Sequence, residues 1–131
     1  ACMRDALASA WVTPDEIGYV NAHASGTKLN DATECAAIRD VFGAHAERLA
    51  VSGTKPAHGH SLGAAGATES LICCLALREG WLPPTLNLER QDPECDLFCI
   101  PRAGIERRVD RVLKNAFGFG GINACLVFGR F

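Results

Sequence analysis

The chain has 131 residues, of which 48% are hydrophobic and 21% charged, values typical of a folded globular domain. Its net charge is −2, and its charges are spread along the chain without a basic stripe, which argues against nucleic acid as a partner. No apolar run approaches the ~20 residues of a membrane span, and no secretory signal opens the sequence. Seven cysteines, an odd number without zinc-type spacing, favour reduced thiols and a cytoplasmic location.

The opening stretch ACMRDALASAW predicts the later turns of an amphipathic helix. Met3, Leu7 and Ala10 or Trp11 share one stripe, and no N-cap residue precedes them. The chain also lacks an initiator methionine. We therefore expect a single unit, residues 1–131, cut at its N-terminus from something longer.

Two strands and one helix are predicted next. TPDE predicts a turn, and the apolar run IGYVNAH predicts a buried, parallel strand. Asn30 and Asp31 offer a cap, with Asp31 and Glu34 resembling a capping box, for a helix that ends at Gly43. LAVSGT predicts the second strand.

The second half continues the alternation of strands and helices. The loop KPAHGH leads to a helix from Leu62 to Leu77 that is closed by Gly80. PPTLNLE predicts an extended stretch, and DLFCIP a short edge strand. RVLKNAF and INACLVF predict two strands joined by glycines. This alternation is typical of a layered α/β fold.

Three polar or glycine-rich segments follow predicted strands: NAHASGT, TKPAHGHSLGAAG and NAFGFGGINA. Because ligands bind at the carboxyl ends of strands in open α/β sheets, we expect these segments to converge on one site. Taken singly, each has a structural explanation. His23 could be a hydrogen-bonded core residue, and the GAAG run could serve close helix packing. The pair His58 and His60 lacks a third ligand, so zinc is not expected.

Other familiar sites are excluded by spacing. GFGG does not match the glycine pattern of a dinucleotide loop, and SGTK does not match that of a phosphate loop. No G-x-S-x-G elbow supports a serine hydrolase.

Taken together, the segments VNAHASGTKLND, SGTKPAHGHSLGAAGATE, PPTLNLE and NAFGFGGINA resemble the C-terminal half of β-ketoacyl-(acyl carrier protein) synthases, condensing enzymes of the thiolase superfamily. The likeness is to the elongating type with two histidines, since the initiating type has Asn where this chain has His60. It implies the C-terminal half of a thiolase-like layered α/β fold. The sheet would be mixed, mostly parallel and flanked by helices. It would be incomplete at its N-terminal edge, because a central strand precedes Ala1.

The resemblance implies decarboxylative Claisen condensation, in which His23 and His60 donate hydrogen bonds to an enolate oxygen. Both rings should be neutral, and the helix that follows His60 disfavours its imidazolium form. Lys55 matches the lysine that organises the histidines, and Glu69 matches its ionic partner. No cofactor is required.

Further roles are implied by the same resemblance. Phe117 matches a gating phenylalanine whose backbone N–H forms half of an oxyanion hole. Gly118, Gly120 and Gly121 allow the turn that follows it. Ser25 and Thr27 would contact the substrate arm.

A structural cation is implied in some relatives, bound by Asn21, Glu34 and Glu69. The sequence also departs from the family pattern. Ala24 stands where glycine is expected, and could narrow the approach of the pantetheine arm or conflict with a positive φ. Ile122 replaces a threonine or histidine, and His58 is given no role.

The nucleophilic cysteine of the family lies in the N-terminal half. None of the chain's own cysteines has a matching context, and Cys73 and Cys74 read as inert helix thiols. We therefore expect this chain alone to be inactive as an enzyme and unstable as an independent fold. The expected partners are the N-terminal half, an acyl carrier protein with a phosphopantetheine-linked acyl or malonyl group, and a second subunit in a homodimer or heterodimer.

Two alternatives stay open beside a condensing acyltransferase of fatty-acid or polyketide synthesis. One is a non-catalytic, chain-length type of partner subunit. The other is an inactive fragment that offers only a packing surface.

Overall fold

The structure, a computed structural model, describes residues 1–130. The α-helices are α1 (Cys2–Ser9), α2 (Lys28–Phe42), α3 (Lys55–His58) and α4 (Ala65–Glu79). The strands are β1 (Tyr19–Asn21), β2 (Ala50–Ser52), β3 (Trp81–Leu82), β4 (Ile105–Glu106), β5 (Arg111–Phe117) and β6 (Asn123–Gly129). Short 3-10 turns occupy Pro14–Glu16, Gly43–Glu47, Leu62–Ala64 and Phe119–Gly121. None of the helices within residues 1–130 combines the length and the apolar character needed to cross a membrane.

The main sheet has the strand order β2-β1-β5-β6. β1 is parallel to both β2 and β5, and β6 runs antiparallel to β5. The predicted mixed, mostly parallel sheet is therefore confirmed. The prediction of a missing central strand is wrong, because β1 itself is central and forms backbone ladders on both sides. No central position is left unpaired among the four strands.

Helices cover both faces of this sheet, as predicted. Met3 of α1 and Ile38 of α2 pack with Val20 on one face. Cys73 and Leu77 of α4 pack on the other face in the cluster that includes Tyr19. Burial on both faces explains why β1 reads as a continuous apolar run, the pattern of a strand between two helical layers.

Helix α1 is shorter than its sequence pattern predicted. Met3 and Leu7 are buried, but the helix ends at Ser9, and Trp11 is 94% exposed with φ of 55°. The assignment of Ala10 or Trp11 to the buried stripe was wrong. The chain turns there, and Val12 N donates to Leu7 O.

Helix α2 begins earlier than predicted. Thr27 is its N-cap and accepts from Asn30 N at 3.3 Å, so Asn30 and Asp31 lie inside the first turn. The capping box of Asp31 and Glu34 is absent, because the Glu34 carboxylate instead accepts from the backbone after β1. The predicted end at Gly43 is confirmed.

Between β2 and β5 the structure contains a helix and a strand pair that the sequence did not predict, and it lacks one strand that the sequence did predict. The expected loop KPAHGH contains the short helix α3. Helix α4 begins at Ala65 and not at the predicted Leu62, because Leu62–Ala64 form a 3-10 turn. It ends at Glu79, and Gly80 caps it with a left-handed backbone, as predicted. DLFCIP forms no strand, although Cys99 makes one parallel bridge with Val51 of the edge strand β2. The small β3–β4 ladder was not predicted.

Candidate functional site

The three polar segments converge at the carboxyl ends of the three parallel strands β1, β2 and β5, as predicted. His23 follows β1, Lys55 follows β2, and Phe117 is the last residue of β5. Because β1, β2 and β5 are parallel, their carboxyl ends meet at one edge of the sheet.

The rings of His23 and His60 face each other there. Their centroids are 5.6 Å apart and the ring planes cross at 82°. His23 is buried with 8% exposure, whereas His60 is exposed. The Phe117 ring packs on the same side of His23, at a centroid distance of 5.7 Å.

Both histidines accept a hydrogen bond at Nδ1. Leu62 N donates to His60 Nδ1 at 3.2 Å, and Lys55 Nζ lies 3.4 Å from His23 Nδ1. An Nδ1 that accepts leaves the ring proton on Nε2. The site therefore presents two Nε2–H donors from rings in edge contact.

The electrostatic surroundings of His23 favour its neutral form. Burial is the main cause that lowers its pKa to about 4, and the nearby Lys55 ammonium lowers it further. The Glu69 carboxylate acts in the opposite direction but does not compensate. A neutral imidazole is the state that donates through one nitrogen while accepting at the other.

Lys55 lies at the centre of the site. Its side chain is 6% exposed, and Nζ donates to the backbone oxygen of His23 and to Glu69 Oε1, the latter at 2.5 Å. Glu69 is fully buried on α4. The predicted Lys55–Glu69 pair is therefore present in the structure, and it holds the ammonium beneath His23.

Lys114 is a member of this cluster that our sequence analysis missed. It lies on β5, is 2% exposed, and its Nζ is 2.7 Å from Glu69 Oε2. The signal was a charged residue in the otherwise apolar strand RVLKNAF. The sequence could not identify its partner, since Lys114 and Glu69 meet only through the packing of α4 on the sheet.

Glu34 was predicted as a capping and cation-binding residue, but the structure gives it another role. Its carboxylate accepts from His23 N at 2.8 Å, Ala24 N at 2.9 Å and Asn115 Nδ2 at 3.0 Å. Burial raises its pKa, and these hydrogen bonds oppose the rise. Glu34 thereby fixes the backbone that carries His23, and Asn115 is a second residue the sequence analysis missed.

The residues expected to bind a cation do not fit one. The oxygens of Glu34 are taken by N–H donors, and those of Glu69 face the two ammonium groups. Asn21 Oδ1 is buried without a partner, but its register partner on β5 is Lys114, whose ammonium already lies beside Glu69. In the described part of the chain, no three His, Cys, Asp or Glu side chains form a metal-binding group.

The segment after His23 differs from what the family pattern suggested. Ala24 adopts φ of 39°, so its methyl group does not forbid the left-handed backbone. A methyl group added at Gly53 would lie 2.4 Å from the Ala24 Cβ, so the absence of a side chain at Gly53 accommodates Ala24. Ser25 Oγ and Thr27 Oγ1 are 3.1 Å apart, and Thr27 Oγ1 also caps α2.

The glycine turn after Phe117 follows the sequence prediction at two positions. Gly120 and Gly121 have φ of 78° and 81°, the region that glycine reaches without strain. Gly118 has an ordinary φ, but an added Cβ would lie 3.1 Å from the backbone oxygen of Ile122. Phe119, at the tip, is 94% exposed beside the site and was not singled out in the sequence.

Two further expectations concern α4 and His58. Close packing of the GAAG run is not found, since an added Cβ at Gly63 or Gly66 would contact nothing within 4 Å among the described residues. His58 Nε2 lies 3.4 Å from Thr54 Oγ1.

Comparison with known proteins gives one consistent family. Residues 1–89 match the family model described as the C-terminal domain of β-ketoacyl synthases. The 3-oxoacyl-[acyl-carrier-protein] synthase 2 of Coxiella burnetii is 47% identical over 129 residues, which are 98% of this chain and 31% of that protein.

Solved structures agree with this family. The ketosynthase/chain length factor of ishigamide synthesis superposes with a TM-score of 0.94 at 41% identity, over 98% of this chain and 32% of that one. AntDE:AntF, a type II polyketide acyl-carrier protein in complex with its ketosynthase, superposes with a TM-score of 0.96 at 36% identity, over 99% and 32%. The chain thus spans about a third of the length of the relatives it matches.

Proposed function

The chain belongs to the family of β-ketoacyl synthase C-terminal domains, and on this premise we propose that it supplies the enolate-stabilising groups of a condensing enzyme in fatty-acid or polyketide synthesis. The observation that carries the proposal is the pair of imidazoles at 5.6 Å, each with Nδ1 accepting. Two Nε2–H donors from rings in edge contact suit an oxygen on which negative charge develops.

The reaction uses a malonyl thioester on a carrier protein. The bond between its carboxylate and the α-carbon breaks, carbon dioxide leaves, and the electron pair forms an enolate. The Nε2–H groups of His23 and His60 donate to the enolate oxygen. The enolate carbon then attacks the carbonyl carbon of a cysteine-bound acyl group, the carbon–carbon bond forms, and the cysteine leaves as thiolate.

The supporting residues keep their expected roles in this proposal. Lys55, paired with Glu69, holds the His23 ring and disfavours its imidazolium. Phe117 gates the acyl side and lends its backbone N–H to an oxyanion hole. Ser25 and Thr27 contact the pantetheine arm.

We propose that the nucleophilic cysteine is not among the seven of this chain. The pKa is raised by burial for Cys35, Cys73, Cys95, Cys99 and Cys125, the opposite of what an activated thiolate requires. Cys74 lies on the outer face of α4 and Cys2 at the start of α1, away from the strand ends that form the site. The N-terminal part of a ketosynthase would supply the nucleophile.

The expected partners follow from the same reaction. They are an acyl carrier protein and a second ketosynthase-type subunit, in a homodimer or heterodimer. The relative AntDE:AntF is itself a complex of a ketosynthase with its acyl-carrier protein, which supports the first. A cytoplasmic location suits the seven free thiols.

The test compares two histidines in the full-length protein. Replacing His60→Ala removes one enolate donor and should lower malonyl decarboxylation by about 10²-fold or more. Replacing His58→Ala is the matched control, because the His58 side chain has its hydrogen bond with Thr54 rather than with His23 or His60, and it should leave the rate near that of the unchanged protein. Release of carbon dioxide from malonyl-carrier protein is the measurement. An unchanged rate in the His60→Ala protein would remove the role assigned to this ring.

A non-catalytic partner subunit is the second candidate. It is favoured by the similarity to a structure that contains a chain length factor beside the ketosynthase. The retained histidines and lysine argue for catalysis instead, since a partner subunit needs no enolate donors. Intact mass after incubation with acyl-carrier protein separates the two: a catalytic subunit gains an acyl group on cysteine, and a partner subunit does not.

A further inference from the structure

Lys114 is a buried cation that the proposed reaction does not use. Its side chain is 2% exposed on the central strand β5, and Nζ lies 2.7 Å from Glu69 Oε2. The contact is off the hydrogen-bonding direction, so both atoms keep unused hydrogen-bonding capacity. A buried charge of this kind is costly unless it is paired.

A third polar group belongs to the same place. Asn21 is the register partner of Lys114 in the parallel β1–β5 ladder, so their side chains point to the same face of the sheet. Asn21 Nδ2 donates to Tyr19 Oη and Thr54 Oγ1, while Asn21 Oδ1 is buried without a partner. A carboxylate oxygen and an amide oxygen are ligands that hard cations take.

We propose that the Lys114 ammonium is a built-in cation, occupying the place beside Glu69 and Asn21 that a metal ion would otherwise take, so that this site works without one. Lys114 neutralises the second carboxylate oxygen of Glu69, and the first stays on Lys55. Lys114 is thus a positioning residue for the Lys55–Glu69 pair. The proposal does not depend on the proposed reaction, because its test measures stability.

The test measures the melting temperature (Tm) of the full chain in salts of small or large cations at constant ionic strength. Na⁺, K⁺ and Mg²⁺ are each compared with tetramethylammonium, which is too large for a buried site. For the unchanged protein we expect Tm differences of less than about 1 °C, since Lys114 already fills the place.

Three substitutions at the same position give the decisive contrast. Lys114→Ser removes the charge and leaves space and oxygen ligands, so at least one small cation should raise its Tm by about 3 °C or more. Lys114→Met removes the charge but fills the space, so its Tm should fall without recovery in any salt. Lys114→Arg keeps the charge. The groove of about 230 Å³ beside Lys114, Ala116 and Ala124 provides space for the larger guanidinium group. The Tm of this variant should stay independent of the cation.

Two results would overturn the proposal. One is a Tm of the unchanged protein that rises in Na⁺, K⁺ or Mg²⁺, because a metal ion would then bind beside Lys114. The other is a folded Lys114→Ser protein whose Tm is the same in every cation. If Lys114→Ser does not fold in tetramethylammonium, refolding in a small cation supports the proposal, and failure to refold in all of them contradicts it.

Discussion

His23 and His60 contribute the same chemical group to the site but are held by different means. His23 is buried, and its backbone is fixed by Glu34. His60 is exposed, and the N–H of Leu62 at the entry to the next helix orients its ring. The burial of His23, together with the Lys55 ammonium, lowers its pKa, so folding changes its protonation.

We predict that stability falls as the pH is lowered from about 6.5 to about 4. The pKa of His23 is lowered from 6.5 in the unfolded chain to about 4 in the fold, so within this window the unfolded state binds more protons. Unfolding in urea at several pH values measures the effect. A His23→Asn protein is the comparison: it should lose this part of the pH dependence, and an unchanged profile would contradict the assignment.

Ala24 and Gly53 show a second effect at the residue scale. Ala24 takes a left-handed backbone that costs a non-glycine residue about 1–2 kcal/mol. Gly53 provides the space for its methyl group, since a Cβ there would overlap it. The departure from the family's glycine is therefore accommodated by a neighbour on the next strand, which the local sequence does not reveal.

At the scale of elements, the entry to α2 matters most for the site. The helix starts at Lys28 under the Thr27 cap, and this start brings Glu34 to the backbone after β1. A start four residues later, under an Asp31 cap, would have made Glu34 a capping residue. Helix α2 therefore supports the site through the buried carboxylate of Glu34, and its first turn is capped by the hydroxyl of Thr27.

Replacing Thr27→Ala should lower the free energy of unfolding by about 1 kcal/mol, because the N–H of Asn30 loses its side-chain acceptor. Thr33→Ala, on the exposed face of the same helix, is the control and should change stability by no more than a few tenths of a kcal/mol. Chemical denaturation of both proteins measures the difference. Equal stabilities would mean that Thr27 does not cap α2.

At the scale of the whole molecule, α4 has an outer face that nothing covers among the described residues. Leu62 is 69% exposed before this helix, and Leu71 and Leu75 on it are 62% and 39% exposed. The opposite face of α4 packs on the sheet and carries Glu69.

We predict that the 131 residues alone form no condensation product from acyl- and malonyl-carrier protein. The proposed enolate donors His23 and His60 lie in this chain, but the thiols with a shifted pKa are all shifted upward, the opposite of an activated thiolate. Mass spectrometry of the carrier-bound products is the measurement, with a full-length relative as the positive control. A lengthened acyl chain would show that one of the seven cysteines acts as the nucleophile.

The sequence by itself determined the α/β fold class, the three converging segments and the residues His23, Lys55, His60 and Glu69. The fold class could be predicted because strand and helix periodicities are local. The site residues could be predicted because the four motifs together, in their order and spacing, resemble one family. Three features were decided only by the tertiary structure: the central place of β1, the start of α2 at Thr27, and the ion pair of Lys114 with Glu69. Each depends on which distant groups meet across the sheet, and a buried charge is held by partners that local sequence does not contain.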